Sequence, residues 1–184
     1  MSIDDDKKHF TNIYNEESDS VFRFCLLRVS DREKALELTQ ETFTRLWSSM
    51  VLGNLPAGRQ GKIANPRALA YTVARNLIID WYRRVKSISL ESLSGEDGDK
   101  EFEVPDEKAT LEIELNVDSR RVLSMLERLE PQYREVIHLR YVEDLSPKDI
   151  AEVLKLNPNT VSVRITRGLE ALRRLIGISK HRHD

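Results

Sequence analysis

The sequence predicts an all-α protein, two helical domains joined by a flexible acidic linker. Three observations predict it. Apolar residues recur at intervals of three and four along most of the chain, and no stretch alternates as a strand would. Charge is unevenly spread. Residues 1–85 carry 13 Lys and Arg against 11 Asp and Glu, residues 86–118 carry 3 against 11, and residues 119–184 carry 13 against 9. The overall net charge of -2 therefore hides two mildly basic blocks around an acidic joint. Finally, 184 residues with 40% hydrophobic and 33% charged content is an ordinary globular composition, long enough for one or two small domains.

The first helix is expected over Asp5–Val29, where Phe10, Ile13, Tyr14, Val21, Phe24, Cys25 and Leu26 repeat at helical spacing. Cys25, the single cysteine, lies in that apolar run and reads as a core thiol. Ser30 then caps a second helix over about Asp31–Ser49, with Ala35, Leu36, Thr39, Phe43, Leu46 and Trp47 as its buried stripe. Glu37, Gln40 and Glu41 stand at i, i+3 and i+4 and so share one face. Periodicity alone reads that face as solvated.

Val51–Ala64, with three glycines and a proline, reads as a loop, made basic by Arg59 and Lys62. Asn65-Pro66 opens a third helix to about Val85, burying Leu69, Ala70, Val73, Ala74, Leu77, Ile78 and Trp81. Its remaining surface carries Tyr71, Arg75, Asn76, Asp80, Arg83 and Arg84. Aromatic rings among arginines suit single-stranded nucleic acid, where bases stack and cations hold phosphates. Core aromatics and solvated arginines explain the same letters. Lys86–Val104, Ser-rich and acidic, is the expected linker. A helix from Pro105-Asp106 to Leu129 follows, and Pro131 begins another that leads into the last unit.

That unit is Ser146–Leu175. Ser146, Pro147 and Asp149 mark a helix start, and Asn157-Pro158 repeats the signal after a three-residue break. A helix of about two turns, a tight break and a longer helix is the spacing of a helix-turn-helix, whose second helix enters the major groove of DNA. Ile150, Ala151 and Leu154 on the first helix face Val161, Ile165, Leu169 and Leu172 on the second. Asn159, Thr160, Ser162, Val163, Arg164, Thr166 and Arg167 are left outward, able to meet base edges and phosphates.

Catalytic, metal and cofactor signatures are missing. His9, His138, His181 and His183 give no zinc-binding helix spacing, and no phosphate-binding or nucleophile-elbow glycine motif occurs. The expectation is a non-enzyme without metal or cofactor. No apolar run of about 18 residues and no leader pattern in M-S-I-D-D-D-K-K point to a cytoplasmic protein without membrane insertion.

Three segments, in order, resemble the extracytoplasmic-function (ECF) group of bacterial sigma factors, in the sigma-70 family. D-R-E-K-A-L-E-L-T-Q-E-T-F-T-R-L-W resembles the segment that docks on the clamp helices of RNA polymerase. N-P-R-A-L-A-Y-T-V-A-R-N-L-I-I-D-W-Y-R-R resembles the segment that recognises and melts the minus-10 element. L-E-R-L-E-P-Q-Y-R-E-V-I-H-L-R-Y-V-E-D-L-S-P-K-D-I-A-E-V-L, with the helix after it, is similar to the domain that reads the minus-35 element.

The resemblance implies domains at 5–85 and 108–178 with a linker at 86–107. It implies core RNA polymerase, through clamp helices and flap, and promoter DNA, double-stranded and melted, as partners. It also leaves room for an anti-sigma factor. Glu37, Gln40 and Glu41 then match polymerase-facing positions, and Tyr71, Arg75, Asn76, Asp80, Arg83 and Arg84, with Arg59 and Lys62 of the loop, the minus-10 side. Asn159, Thr160, Ser162, Val163, Arg164, Thr166 and Arg167 fall on the minus-35 side. The chain departs from the family pattern at Thr39, usually aliphatic, at Lys155, usually a turn glycine, and at Ser162-Val163, usually a basic-polar pair. The alternatives are a helix-turn-helix regulator that binds DNA without acting as a sigma subunit, and a helical interaction protein with no DNA role.

Overall fold

Helix boundaries follow the local chemistry of their ends. The computed structural model describes residues 3–52, 63, 65–91 and 124–176. Six helices lie wholly among them, α1 (Ile3–Val29), α2 (Arg32–Leu52), α3 (Pro66–Glu91), α4 (Pro131–Tyr141), α5 (Pro147–Leu154) and α6 (Pro158–Ile176), and residues 124–127 are helical as well. The chain divides into two compact units, Met1–Leu111 and Glu112–Asp184.

In the first unit Asp31, not Ser30, caps α2: its Oδ1 accepts from the Lys34 N–H at 2.9 Å. Ser30 instead ends α1 in the left-handed region (φ 55°), its N–H reaching the Leu26 carbonyl at 2.9 Å. Asn65 Oδ1 accepts from the Ala68 N–H at 3.0 Å, and Pro66 fills the first position of α3. Val51 and Leu52, expected in a loop, continue α2, and residues 86–91, expected in the linker, continue α3. Residues 53–62 and 92–123 lie outside the described residues, and with them Arg59, Lys62, most of the linker and the start of the helix expected from Pro105.

The three helices form a bundle. Phe10 stacks edge-on against Phe43 and Trp47, and Tyr14 against Phe43, so the first half of α1 meets the second half of α2 and the two run antiparallel. Arg67 meets Glu17 at 2.8 Å near the start of α3, and the Tyr82 hydroxyl donates to the Arg28 carbonyl near its other end, so α3 runs parallel to α1. Residues 68–74 are buried without a break, because α1 and α2 cover α3 on more than one side. Thr39, Thr42 and Thr72 are buried too, each hydroxyl donating at 2.7 Å to the carbonyl four residues back. That bond removes the penalty of an unpaired hydroxyl and explains how Thr39 replaces an aliphatic side chain. On α2 the stripe is rotated from expectation: Leu38 is buried, whereas Leu36 is 52% exposed.

In the second unit α5 and α6 make the expected pair of helices. Ser146 and Asp149 form a full capping box around Pro147. Lys155 closes α5 in the left-handed region (φ 55°, ψ 42°), and Asn157 Oδ1 accepts from the Asn159 N–H at 2.9 Å to start α6. Val161 is fully buried in the angle between α5 and α6, and Ala151 lets them approach. Val153, rather than the expected Leu154, lies in the core, and Ile165, Leu169 and Leu172 are half-buried.

The left-handed Lys155 yields a first prediction. A side chain there costs about 1–2 kcal/mol, partly offset by the extra chain entropy that glycine loses on folding. Lys155→Gly is therefore expected to stabilise the second unit by about 0.5–1 kcal/mol and to raise its thermal midpoint by a few degrees in circular dichroism. An unchanged or lowered midpoint would show that the turn carries no strain.

Candidate nucleic-acid interface

The outer face of α6 is set by what its inner face buries. Val161 and Gly168 are buried against the rest of the unit. A Cβ at Gly168 would lie 2.8 Å from Ile137 Cγ1 and 3.3 Å from Tyr133 Cβ, so only glycine lets α6 cross α4 this closely. Opposite that contact, Asn159, Thr160, Ser162, Val163, Thr166 and Arg167 are exposed and Arg164 is half-buried on the flank. Six of the seven outward residues expected from the sequence are thus held away from the packing face, while Arg164, three residues after Val161 and four before Gly168, sits at its edge. Ser162 Oγ and Thr166 Oγ1 donate to the carbonyls of Pro158 and Ser162, both at 3.1 Å, which leaves their oxygens as acceptors.

The turn that delivers α5 and α6 is held by a pair the spacing of residues does not announce. His138 Nε2 lies 2.9 Å from Glu143 Oε1, and both side chains are buried. Arg140 Nη1 donates to the Leu145 carbonyl at 3.0 Å beside it. Behind the C-terminal half of α6, Arg128, Leu129, Tyr133, Arg167, Glu170 and Arg174 line an open groove of about 610 Å³.

In the first unit, Asn76, Asp80, Arg83 and Arg84 stand at i, i+4, i+7 and i+8 and share one side of α3. Asp80 and both arginines are exposed, Asn76 and Arg75 half-buried. Arg83 lies 3.7 Å from Asp80. Tyr71 does not join them. It is fully buried, its ring edge-on to Phe24 with centroids 5.2 Å apart, so the expectation of Tyr71 as a base-stacking ring is corrected. Tyr82 is half-buried, and burial pushes its phenol pKa up while Arg28 works against that shift.

Glu17 and Arg67, 2.8 Å apart, tie α1 to the first turn of α3, another contact that only the fold makes. Burial works against the Arg67 charge, yet Glu17 and the Tyr71 hydroxyl together more than offset it, and the guanidinium is held more firmly charged than usual.

On α2, Glu37 and Gln40 are exposed and Glu41 is half-buried, all on one side of the helix. Lys34 meets Glu37 at 2.6 Å and Arg45 meets Glu41 at 2.7 Å. Exposed pairs of this kind are worth at most about 1 kcal/mol, so either carboxylate can exchange its partner for another cation at little cost. Among the described residues no group of His, Cys, Asp and Glu is arranged to hold a metal ion, and no helix is long and apolar enough to cross a membrane.

Comparison with known proteins matches this arrangement in order. The family model for sigma-70 region 2 covers residues 13–88, and that for sigma-70 region 4 covers residues 119–172. The chain is 31% identical over 168 residues to the ECF RNA polymerase sigma factor BldN of Streptomyces coelicolor, an alignment with 91% of this chain and 60% of BldN. It is 29% identical over 162 residues to the ECF RNA polymerase sigma factor SigL of Mycobacterium tuberculosis, with 88% of this chain and 85% of SigL. In fold it is similar to the sigma factor RpoE solved in complex with the anti-sigma factor NepR from Bartonella quintana, at a TM-score of 0.61 and 20% identity over 94% of this chain and 99% of that one. With regions 2 and 4 both present in sequence, and ECF sigma factors as its relatives, the chain belongs to the ECF group of the sigma-70 family.

Proposed function

We propose that this chain is an RNA polymerase sigma factor of the ECF type, which directs core polymerase to a subset of promoters and helps open the minus-10 element. The observation that carries the reading is the exposed polar face of α6 in a capped helix-turn-helix, joined in one chain to a separate unit whose α2 offers Glu37, Gln40 and Glu41. The domains on this reading are 5–85 for clamp docking and minus-10 opening, 86–107 for the acidic linker and 108–178 for minus-35 recognition. The family matches over 13–88 and 119–172 support that division.

Asn159, Thr160, Ser162, Val163, Arg164, Thr166 and Arg167 meet the minus-35 duplex, while Arg75, Asn76, Asp80, Arg83 and Arg84, joined by Arg59 and Lys62, serve the minus-10 strand. Catalysis belongs to the polymerase, and the chain works in the cytoplasm without metal or cofactor. The relative solved with an anti-sigma factor supports a partner of that kind here as well.

Runoff transcription with bacterial core polymerase and a promoter library tests this. Transcripts are expected only when the chain and core polymerase are both present. Replacing Glu37, Gln40 and Glu41 together by alanine is expected to weaken retention on core polymerase by about tenfold, as loss of an interface hot spot does. Wild-type retention of that variant would remove the docking assignment. Duplex binding without any polymerase-dependent transcript would instead favour a DNA-binding regulator that is not a sigma subunit.

A further inference from the structure

We propose that Val163 reads the C5-methyl group of a thymine in the minus-35 element, so that this chain's promoters carry an A·T pair at one fixed place there. The inference rests on the assignment of α6 to the minus-35 duplex.

Val163 is a large aliphatic side chain left 49% exposed. It stands two residues after the fully buried Val161, about 200° around the helix, and so at the centre of the outward face. Asn159 lies one turn before it, and Thr166 and Arg167 one turn after it, all exposed. Within that set Val163 is the apolar member. It also falls in the N-terminal half of α6, the part of a recognition helix that reaches base edges.

The major groove offers such a side chain one complementary surface. Guanine, cytosine and adenine present donors and acceptors there, and thymine adds a methyl group. An isopropyl group pressed on a donor or acceptor would strip it of water without replacing the hydrogen bond, which is unfavourable. Pressed on a methyl group it removes apolar surface from water on both sides. The neighbours do not compete for the place: the Ser162 and Thr166 hydroxyl protons are engaged with helix carbonyls. Asn159, a turn away, suits the N6 and N7 edge of an adenine, so adjacent A·T pairs match the face as a whole.

The test uses the full chain with bacterial core polymerase and a promoter selected by transcription from a library randomised only over the minus-35 element. Each thymine of the selected element is then replaced by uracil, which removes the methyl group and nothing else. At one position uracil is expected to lower transcription about fourfold with the wild-type chain, the effect of one buried methyl-sized group. With Val163→Ala the same uracil is expected to have no further effect, and selection repeated with that variant is expected to lose its thymine preference there. Because the uracil comparison is made on the unaltered protein, it does not depend on how the variant folds. If no uracil substitution lowers transcription, or if the loss is undiminished in Val163→Ala, the inference is overturned. If no library member is transcribed at all, the sigma-factor reading itself fails, and this inference with it.

Discussion

Replacing Arg164 and Arg167 together by alanine is expected to reduce minus-35-dependent transcription by two orders of magnitude or more, with the thermal midpoint and retention on core polymerase unchanged. Arg167 is exposed, and Arg164 is half-buried at the edge of the packing face rather than within the core, so their removal empties no core. Each well-made bond to a base edge is worth about 1–3 kcal/mol, and every 1.4 kcal/mol is about a factor of ten. At the middle of that range the base contact of Arg167 accounts for about thirtyfold, and the phosphate contact of Arg164 adds a further factor of several.

The single variants are expected to differ. Arg167 shares the outward face with Val163 and Asn159, so Arg167→Ala should relax base preference at one position. Arg164 is half-buried on the flank, where a groove wall brings phosphates, so Arg164→Ala should weaken all promoters alike and reduce the salt slope by about 1. Runoff transcription over a salt series with a small set of minus-35 variants separates these effects. Unchanged yield and slope in the double variant would sink the assignment of α6 to DNA.

Glu143→Ala is expected to destabilise the second unit by about 3 kcal/mol, between the cost of orphaning a neutral buried partner and that of orphaning a charged one. Glu143 and His138 are 3% and 7% exposed, and their 2.9 Å contact spans the turn from α4 into α5. Without the carboxylate, the buried imidazole loses that partner. Changing both residues to leucine is expected to recover much of the loss, because the penalty comes from removing one half of a buried polar pair rather than from the net worth of the bond.

Urea unfolding followed by circular dichroism measures the effect. Tryptophan fluorescence supplies a control, since both tryptophans, Trp47 and Trp81, lie in the first unit and their transition should not move. A shift below about 1 kcal/mol would mean that the turn is held by its other bonds, Arg140 to the Leu145 carbonyl among them.

These two predictions rest on features of different legibility. The outward set on α6 is readable because a capped helix has a fixed start, and from a fixed start the 3.6-residue repeat assigns every face. The same holds for the capping box at Ser146 and the Asn65-Pro66 start of α3. The cap of α2 shifts by one residue because Ser30 and Asp31 are both good caps, and only the backbone settles which one bonds.

Contacts between elements are not readable in this way. Tyr71 reads as a surface ring because periodicity treats a helix as having one inner side, whereas α3 is covered on several. Leu36 and Leu38 exchange places for a related reason: two leucines two residues apart cannot both face the core, and letters alone do not rank them. The pairs Glu17–Arg67 and His138–Glu143 leave no sequence signal, since the first spans two helices and the second a turn.

Gly168 also acts as a ruler. By clamping the middle of α6 to α4, it leaves ahead of it ten residues, Pro158–Arg167, whose outer face can lie in a groove while Val161 holds their inner face. Ten helical residues span roughly 15 Å, and base pairs follow one another every 3.4 Å or so, which limits direct reading by this helix to about four consecutive pairs. A minus-35 element selected by this chain should therefore be short, and any longer sequence preference around it has to come from the shape or stiffness of the DNA rather than from side chains.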